Sequence, residues 1–253
     1  MVQLNELQNY CNALLQVQDF RDYCPNGLQV EGKSVIKKLV SGVTASQAFI
    51  DQAIAAGADA LLVHHGYFWK NEDAAIVGMK KQRIRSLLEH EVNLLAYHLP
   101  LDAHAEFGNN VQLAARLQIQ VDGVVRDGPA SGLIWYGKLA APMLAHEFAG
   151  HLEQQLQRAP LHLSATTDRP ISRVAWCTGG AQGYFEAAAA LGVDAYISGE
   201  ASEQTFHLAR ELDVHYFGAG HHATERYGVQ ALAAHLAQKF DLQTEYIDIP
   251  NPV

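Results

Sequence analysis

The chain has 253 residues, of which 49% are hydrophobic and 18% charged, and its formal net charge at pH 7 is −9. This length allows one large or two modest domains with an ample core, and the apolar content is that of an ordinary globular protein. The negative charge and the lack of a basic stripe argue against general nucleic-acid binding, which needs a surface that neutralises phosphates.

Short apolar runs alternate with helical patterns in the first half, which indicates an α/β fold with largely parallel strands. Residues 1–17 are predicted to be helical and lack the features of a signal peptide, and no segment has the apolar length of a membrane span, so we expect a cytoplasmic protein. Ser46 is predicted to cap a helix that Gly57 ends. The other elements predicted here are strands at 38–43, 60–64 and 92–97 and helices at 78–90 and 110–117.

The second half repeats this order of elements. The predicted strands are 173–177, 195–198, 214–217 and 244–249, and the predicted helices are 182–191, 202–212 and 224–240. Residues 122–170 are less regular and read as the connection, with a helix over 146–156 and room for strands of their own. The sequence therefore predicts two α/β half-repeats, residues 1–125 and residues 126–253, with an approximate boundary that leaves room for the two domains to interlace.

The two halves carry matching polar tips. Residues 49–60 align with residues 184–195, and an apolar run then leads to His64-His65 in one half and to Gly199-Glu200 in the other. Further along, the spacing His-x-x-x-acid occurs in both halves. The residues at that spacing are His98 with Asp102 and His221 with Glu225. Two generic βαβ units that share a glycine at a helix end are the alternative explanation of this repeat.

All of these polar residues follow predicted strands, and sites form at the carboxyl ends of parallel strands. Successive residues of a strand point to opposite faces, so His64 and His65 act together only where the chain turns, and Gly66 allows a turn. His221 and Glu225 share one face if a helix begins there. Imidazoles and carboxylates are the donors that divalent metals take, and the doubled pattern predicts one shared centre with two metals.

Each residue alone also has a plainer explanation. A His-His pair is common as surface polarity or as a hydrogen-bonded pair in a core, His98 and Asp102 suit a cap or a turn, and Glu225 suits the first turn of a helix. Other motifs indicate no site. His146 and His151 lie about 140° apart around a helix, residues 178–183 (TGGAQG) favour a tight turn over a phosphate loop, and the three cysteines are scattered.

Several stretches together resemble a known family. They are residues 23–31 (YCPNGLQVE), 41–46 (SGVTAS), 63–69 (VHHGYFW), 98–102 (HLPLD), 197–200 (ISGE), 219–225 (AGHHATE) and 246–252 (YIDIPNP). In these motifs the chain resembles the GTP cyclohydrolase 1 type 2 homologues, and the resemblance covers nearly its whole length. It implies two interlinked α/β domains of similar topology with mostly parallel strands, a dinuclear metal centre and a ring-shaped homohexamer.

The resemblance also implies roles for individual residues. The ligands of the two divalent ions would be His64 and Asp102 for one metal, His65 and His221 for the other, and Glu225 for both. The neighbouring candidates for proton transfer or substrate contact are His98, His222 and Glu200.

The function expected from these residues is metal-dependent hydrolysis, in which two metals activate a shared water. The resemblance implies a small, nucleotide-like substrate. The family name points to GTP, but the sequence has no P-loop and no guanine-reading motif. The alternative is a non-catalytic oligomer that stores, delivers or senses a metal. Iron, zinc, manganese and cobalt all suit mixed histidine and carboxylate ligands.

Overall fold

The structure is a computed structural model and describes residues 1–128 and 130–253. Its strands are β1 (Val2–Gln3), β2 (Gly27–Val30), β3 (Val35–Ile36), β4 (Lys38–Thr44), β5 (Ala60–His65), β6 (Asn93–Ala96), β7 (Gln120–Val124), β8 (Trp135–Met143), β9 (Leu161–Leu163), β10 (Ile171–Trp176), β11 (Ala195–Ser198), β12 (His215–Gly218) and β13 (Gln243–Tyr246). Its α-helices are α1 (Leu4–Leu14), α2 (Gln47–Ala55), α3 (Gly78–Glu89), α4 (Leu99–Ala103), α5 (Asn109–Arg116), α6 (Ala145–Leu156), α7 (Phe185–Ala189), α8 (Glu203–Glu211) and α9 (His221–Phe240). In the described ranges, none of these helices has the length and apolar character needed to span a membrane.

Two compact units make up the chain. The first comprises residues 1–108 and 228–250, and the second comprises residues 109–227 and 251–253. This division differs from the predicted boundary at residues 125 and 126. Residues 228–250 return to the first unit because β13 pairs with β4 and the last turns of α9 bury Val229, Leu232 and Leu236 in the first unit's core.

The first unit contains a five-stranded sheet in the order β13-β4-β5-β6-β2. Within this sheet, the strands β13, β4, β5 and β6 run parallel to one another, and β2 pairs antiparallel with β6 at the edge. Leu61 and Leu62 are adjacent on β5 but belong to different buried clusters, as the two-residue period of a strand requires. Both faces of β5 are therefore covered, which explains its continuous apolar sequence.

Helix α2 begins and ends where the sequence predicted, after Ser46 and before Gly57. The Ser46 hydroxyl accepts a hydrogen bond from the Phe49 amide at 3.3 Å, and Gly57 ends the segment with a φ of +77°. Gly42 on β4 has no side chain at the place where the Phe49 ring packs, and a Cβ there would collide with that ring. The helix thereby lies close against the sheet.

The second unit contains a six-stranded sheet in the order β7-β8-β10-β11-β12-β9. Its centre, β10-β11-β12, is parallel, and the strands on both sides are antiparallel. Trp176 at the end of β10 is fully buried, and its indole Nε1 donates to the Asn110 carbonyl at 2.9 Å. The parallel centre brings the ends of β10, β11 and β12 to the same edge of the sheet.

The predicted α/β class is confirmed, and the predicted strands and helices are present with small shifts at their ends. The sequence did not predict the short strands β1, β2 and β3 or helix α4. The irregular connection contains β7, β8 and β9, which are antiparallel strands with less regular apolar patterns than the buried parallel strands, and of which β7 and β9 form the two edges of the sheet.

The edge strand β9 is joined to β12 by a pair of imidazoles. His162 Nε2 and His215 Nδ1 lie 3.1 Å apart, and the Ala165 amide also donates to His215 Nδ1 at 3.2 Å. Burial lowers the pKa of both histidines, and the charge of His215 lowers the pKa of His162 further. Three nearby aspartates act in the opposite direction on His215, but burial outweighs them. Folding therefore disfavours the protonation of both histidines.

We predict that the free energy of unfolding falls as the pH is lowered below about 6.5. The reason is that these two histidines then bind more protons in the unfolded chain than in the folded protein. Urea titrations at pH 7 and pH 5 measure this loss. In His215→Asn, whose side-chain oxygen accepts hydrogen bonds without titrating, the loss between these pH values should be smaller. An equal loss in the variant and the native protein would contradict the prediction.

Candidate metal centre

The first unit brings four of the predicted residues together. One nitrogen from each of His64, His65 and His98 lies within 4.8 Å of the others, and the ring centroids of His64 and His65 are 4.6 Å apart. His64 Nε2 is 3.4 Å from Asp102 Oδ1. His64 is fully buried and Asp102 is 5% exposed. The group therefore joins three imidazoles and a carboxylate, and two of its members, His64 and Asp102, are shielded from solvent.

Strand ends and one short helix position this group. His64 and His65 end β5, and the Tyr97 amide after β6 donates to the Val63 carbonyl at 3.0 Å, which aligns the two strand ends. Helix α4 follows at once, and the Asp102 amide donates to the His98 carbonyl at 3.1 Å. The spacing His-x-x-x-acid in this half is thus one helical turn.

Gly66 has a different role from the predicted one. Its φ is not positive, so the turn does not require glycine for its backbone conformation. A Cβ at Gly66 would instead collide with the Gln29 side chain and lie 2.7 Å from the Ala96 Cβ. The glycine is needed for close approach of β2 and β6 beside the histidines.

The imidazoles of this unit are held through Nδ1. His64 Nδ1 lies 2.8 Å from the Tyr97 carbonyl oxygen, His65 Nδ1 lies 3.3 Å from Thr44 Oγ1, and His98 Nδ1 lies 2.7 Å from Asp22 Oδ1. A carbonyl and an ionised carboxylate only accept hydrogen bonds, so Nδ1 carries the hydrogen in His64 and His98. Their lone pairs are then on Nε2, which is the arrangement that histidine ligands of metals usually have.

The second unit has a smaller group at the start of α9. His221 Nδ1 lies 2.6 Å from Glu200 Oε1, and His221 Nε2 lies 3.1 Å from Glu225 Oε2. Glu225 is 2% exposed. The helix begins at His221, so the prediction that His221 and Glu225 share a helical face is confirmed.

Two glycines allow the backbone to approach this group. Gly179, after β10, has a φ of +68°, and a Cβ there would collide with Glu225 Oε1 and lie 3.2 Å from His221 Nε2. A Cβ at Gly199 would lie 2.7 Å from the His221 Cα. The Gly179 amide donates to Thr224 Oγ1 at 3.0 Å, which ties this loop to α9.

The charge state of His221 follows from its two carboxylates. Burial lowers the pKa of His221, but the hydrogen bonds and charges of Glu225 and Glu200 outweigh burial and raise it to about 9. In the protein without metal, His221 is therefore an imidazolium at neutral pH, with one hydrogen directed at each carboxylate. A metal ion at Nε2 would have to replace that proton.

His222 has a different setting from His221. It is 8% exposed, and its amide donates to the Val253 carbonyl at 3.1 Å. Adjacent residues of an α-helix are rotated by about 100°, so His222 is directed away from the face shared by His221 and Glu225. Glu200, in contrast, belongs to the group, because its carboxylate contacts His221 Nδ1.

Several residues that hold the site were not indicated by the sequence. Asp22 lies 76 residues before its partner His98, and no spacing rule connects them. Trp69 was noted only as part of a motif, yet its ring centroid is 5.0 Å from that of His98 in an edge-to-face arrangement. Gly179 was interpreted as part of a tight turn, and its contact with Glu225 depends on the approach of a separate helix.

We predict that Gly179→Ala destabilises the protein more than Gly192→Ala does. Both glycines have a φ of +68°, so both variants carry the left-handed strain of roughly 1–2 kcal/mol. A Cβ at Gly192 has open space, whereas a Cβ at Gly179 meets the Glu225 carboxylate. Urea unfolding of the two variants measures the difference, and equal losses would show that the contact with Glu225 has no energetic consequence.

A second prediction concerns the protein stripped of metal by a chelator. Because the pKa of His221 is raised from 6.5 to about 9 on folding, its contribution to stability is complete below pH 6.5 and is lost as the pH rises to about 9. Unfolding measured between these pH values should show this decline. The decline should be reduced in His221→Gln, and an unchanged pH profile in that variant would refute the assignment.

Comparisons with known proteins identify the family. The model of the family Duf34/NIF3 (NGG1p interacting factor 3) matches residues 2–252. A protein from Allochromatium vinosum is 55% identical over 252 residues, with 100% of this chain and 98% of that protein covered, and one from Pseudomonas aeruginosa is 52% identical with 99% of each covered. Both are named GTP cyclohydrolase 1 type 2 homolog.

Solved structures agree with this result. The structure titled protein ybgI, unknown function, has a TM-score of 0.96 at 50% identity, and TTHA1606 from Thermus thermophilus has a TM-score of 0.91 at 35% identity. Both alignments cover 100% of each chain. The family resemblance read from the sequence is thereby confirmed, and this chain belongs to the Duf34/NIF3 family.

Proposed function

We propose that the two groups of side chains together hold two divalent metal ions, and that the protein is a metal-dependent hydrolase of a nucleotide-like substrate. The observation that carries this proposal is the common orientation of the imidazoles. His64, His98 and His221 each have Nδ1 bound to an acceptor, which leaves Nε2 as the atom that can bind a metal or, without its proton, accept a hydrogen bond from a substrate.

The donors fit divalent transition metals. Imidazole nitrogens with carboxylate oxygens suit zinc, iron, manganese and cobalt, and the described residues of each group include both types. The 3.4 Å distance between His64 and Asp102 supports their assignment to one metal. The full proposed set follows the family resemblance. It is His64 and Asp102 for one ion, His65 and His221 for the other, and Glu225 for both.

A pair of metals, when bound, lowers the pKa of water and stabilises negative charge on a displaced oxygen. The protein's own contribution is orientation. Glu200 directs His221 through Nδ1, and burial of Glu225 and Asp102 keeps both carboxylates away from bulk water. His98 is the proposed acceptor of a proton from water or substrate, because its Nδ1 is engaged by Asp22 and one of its ring nitrogens lies within 4.8 Å of those of His64 and His65.

The nucleotide-like substrate is proposed from the names of the relatives, which are homologues of GTP cyclohydrolase 1 type 2. The substrate-side role of His222 and the ring-shaped homohexamer likewise rest on the resemblance. Light scattering of the purified protein measures the oligomeric state directly. A mass other than six times 27.7 kDa would refute the hexamer.

We predict that Glu225→Gln lowers the affinity for Zn²⁺ or Co²⁺ by about 100-fold or more, because even loss of an outer partner of a metal ligand costs 10- to 100-fold. Glu153→Gln, an exposed helical glutamate, is the matched control and should bind like the native protein. Calorimetry in two buffers of different ionisation enthalpy should also show that a proton is released, as the raised pKa of His221 requires.

Hydrolysis is tested by incubating the metal-loaded protein with a panel of nucleotides and phosphoesters. The proposal expects turnover that Glu225→Gln abolishes and Glu153→Gln retains. Turnover that Glu225→Gln leaves intact would defeat the hydrolase proposal. Tight metal binding without turnover of any member of the panel would favour the storage or sensing alternative.

A further inference from the structure

Asp22 is a buried carboxylate attached to the first unit's imidazole group. It lies between β1 and β2 in the chain, and its side chain is 3% exposed. Asp22 Oδ1 is 2.7 Å from His98 Nδ1, whose side chain is 15% exposed. A short bond between a buried carboxylate and an imidazole is stronger than a bond between neutral groups.

The remaining partners of Asp22 are also donors. Oδ1 accepts from the Tyr23 amide at 2.6 Å, and Oδ2 accepts from the Leu99 amide at 2.9 Å and from Asn26 Nδ2 at 2.8 Å. All of these partners are hydrogen-bond donors to the Asp22 carboxylate. The carboxylate is therefore suited to be ionised, and it accepts the hydrogen of His98 Nδ1.

The backbone of His98 is held by the same network. Asn26 Oδ1 accepts from the His98 amide at 2.7 Å, while Asn26 Nδ2 donates to Asp22. The bonds from Asp22 to Leu99 and His98 span the start of α4, so the ring and the main chain of His98 are fixed together. This double attachment defines the direction of the ring, which has a nitrogen within 4.8 Å of those of His64 and His65.

We propose that Asp22 is a positioning residue that holds His98 in the Nδ1–H tautomer and so makes His98 Nε2 a hydrogen-bond acceptor toward the group formed with His64 and His65. The consequence for a reaction rests on the proposed function. An acceptor at this place can orient a water or a substrate hydroxyl, whereas the other tautomer would direct a hydrogen into the group and repel such a donor.

The alternative is that Asp22 is purely structural and caps α4 through the Leu99 amide. The substitution Asp22→Asn separates the two roles because it keeps the shape of the side chain. Its oxygen is expected to face the two donors Leu99 and Asn26 rather than the single amide donor Tyr23, which places the NH₂ group against His98 Nδ1. His98 must then accept at Nδ1 and carry its hydrogen on Nε2.

The tautomer is measured by solid-state ¹⁵N spectroscopy of the full-length protein labelled in histidine, with His98→Gln used to assign the His98 resonances. We expect hydrogen on Nδ1 in the native protein and on Nε2 in Asp22→Asn. Asp59→Asn is the matched control, because Asp59 also accepts from two backbone amides, those of Lys37 and Lys38, but contacts no imidazole. Its His98 spectrum should be native.

The outcomes distinguish this inference from the proposed function. Hydrogen on Nε2 in the native protein, or an Asp22→Asn spectrum identical to the native one, would overturn the positioning role whatever the turnover. The native-protein measurement does not depend on the folding of any variant. An inverted tautomer with no turnover in the native protein would support Asp22 and reject the hydrolase proposal.

Where turnover is found, the variant gives a second readout. Asp22→Asn should retain its bound metal while kcat falls, and the general precedent for a wrong histidine tautomer is a loss of about 10⁴-fold. The metal content, measured by mass spectrometry of the purified protein, separates this loss from loss of the ligands. A kcat equal to that of Asp59→Asn would contradict the assigned role.

Discussion

The hydrogen bond at Nδ1 is the interaction on which the candidate centre depends. An imidazole has two nitrogens, and an acceptor at one of them determines which atom and which direction the other offers. In this protein the acceptors come from different sources, a main-chain carbonyl for His64 and carboxylates for His98 and His221, while the neighbour of His65 Nδ1 is the Thr44 hydroxyl. The groups are thus oriented by the protein itself, which would lower the cost of ordering them around an ion.

Close backbone approach is the second requirement, and it explains glycines that would otherwise look like loop residues. Gly66, Gly179 and Gly199 each face an atom that a methyl group would touch or overlap. The electrostatics are consistent with this packing. The proton on His221 offsets part of the negative charge of Glu200 and Glu225 in the protein without metal, because the ring contacts both carboxylates.

The elements that the sequence predicted well are those with strong periodicity. The buried strands β4, β5 and β6 and the amphipathic or capped helices were located within a few residues. Strands β7, β8 and β9 lie mostly in the stretch where the sequence left room for strands without placing them, because antiparallel strands need fewer apolar side chains than buried parallel strands. The return of residues 228–250 to the first unit could not be placed from the sequence, since β13 pairs with β4 about 200 residues earlier.

The sequence by itself determined the donor types, their place after strand ends and the one-turn spacing of His221 and Glu225, because these depend on local geometry and on the common edge of parallel strands. Only the tertiary structure decided which groups hold the histidines. Asp22 meets His98, and Gly179 meets Glu225, through the register and approach of elements far apart in the chain. Hydrogen-bond partners of that kind leave no periodic pattern in a sequence, so they are found only when the fold is known.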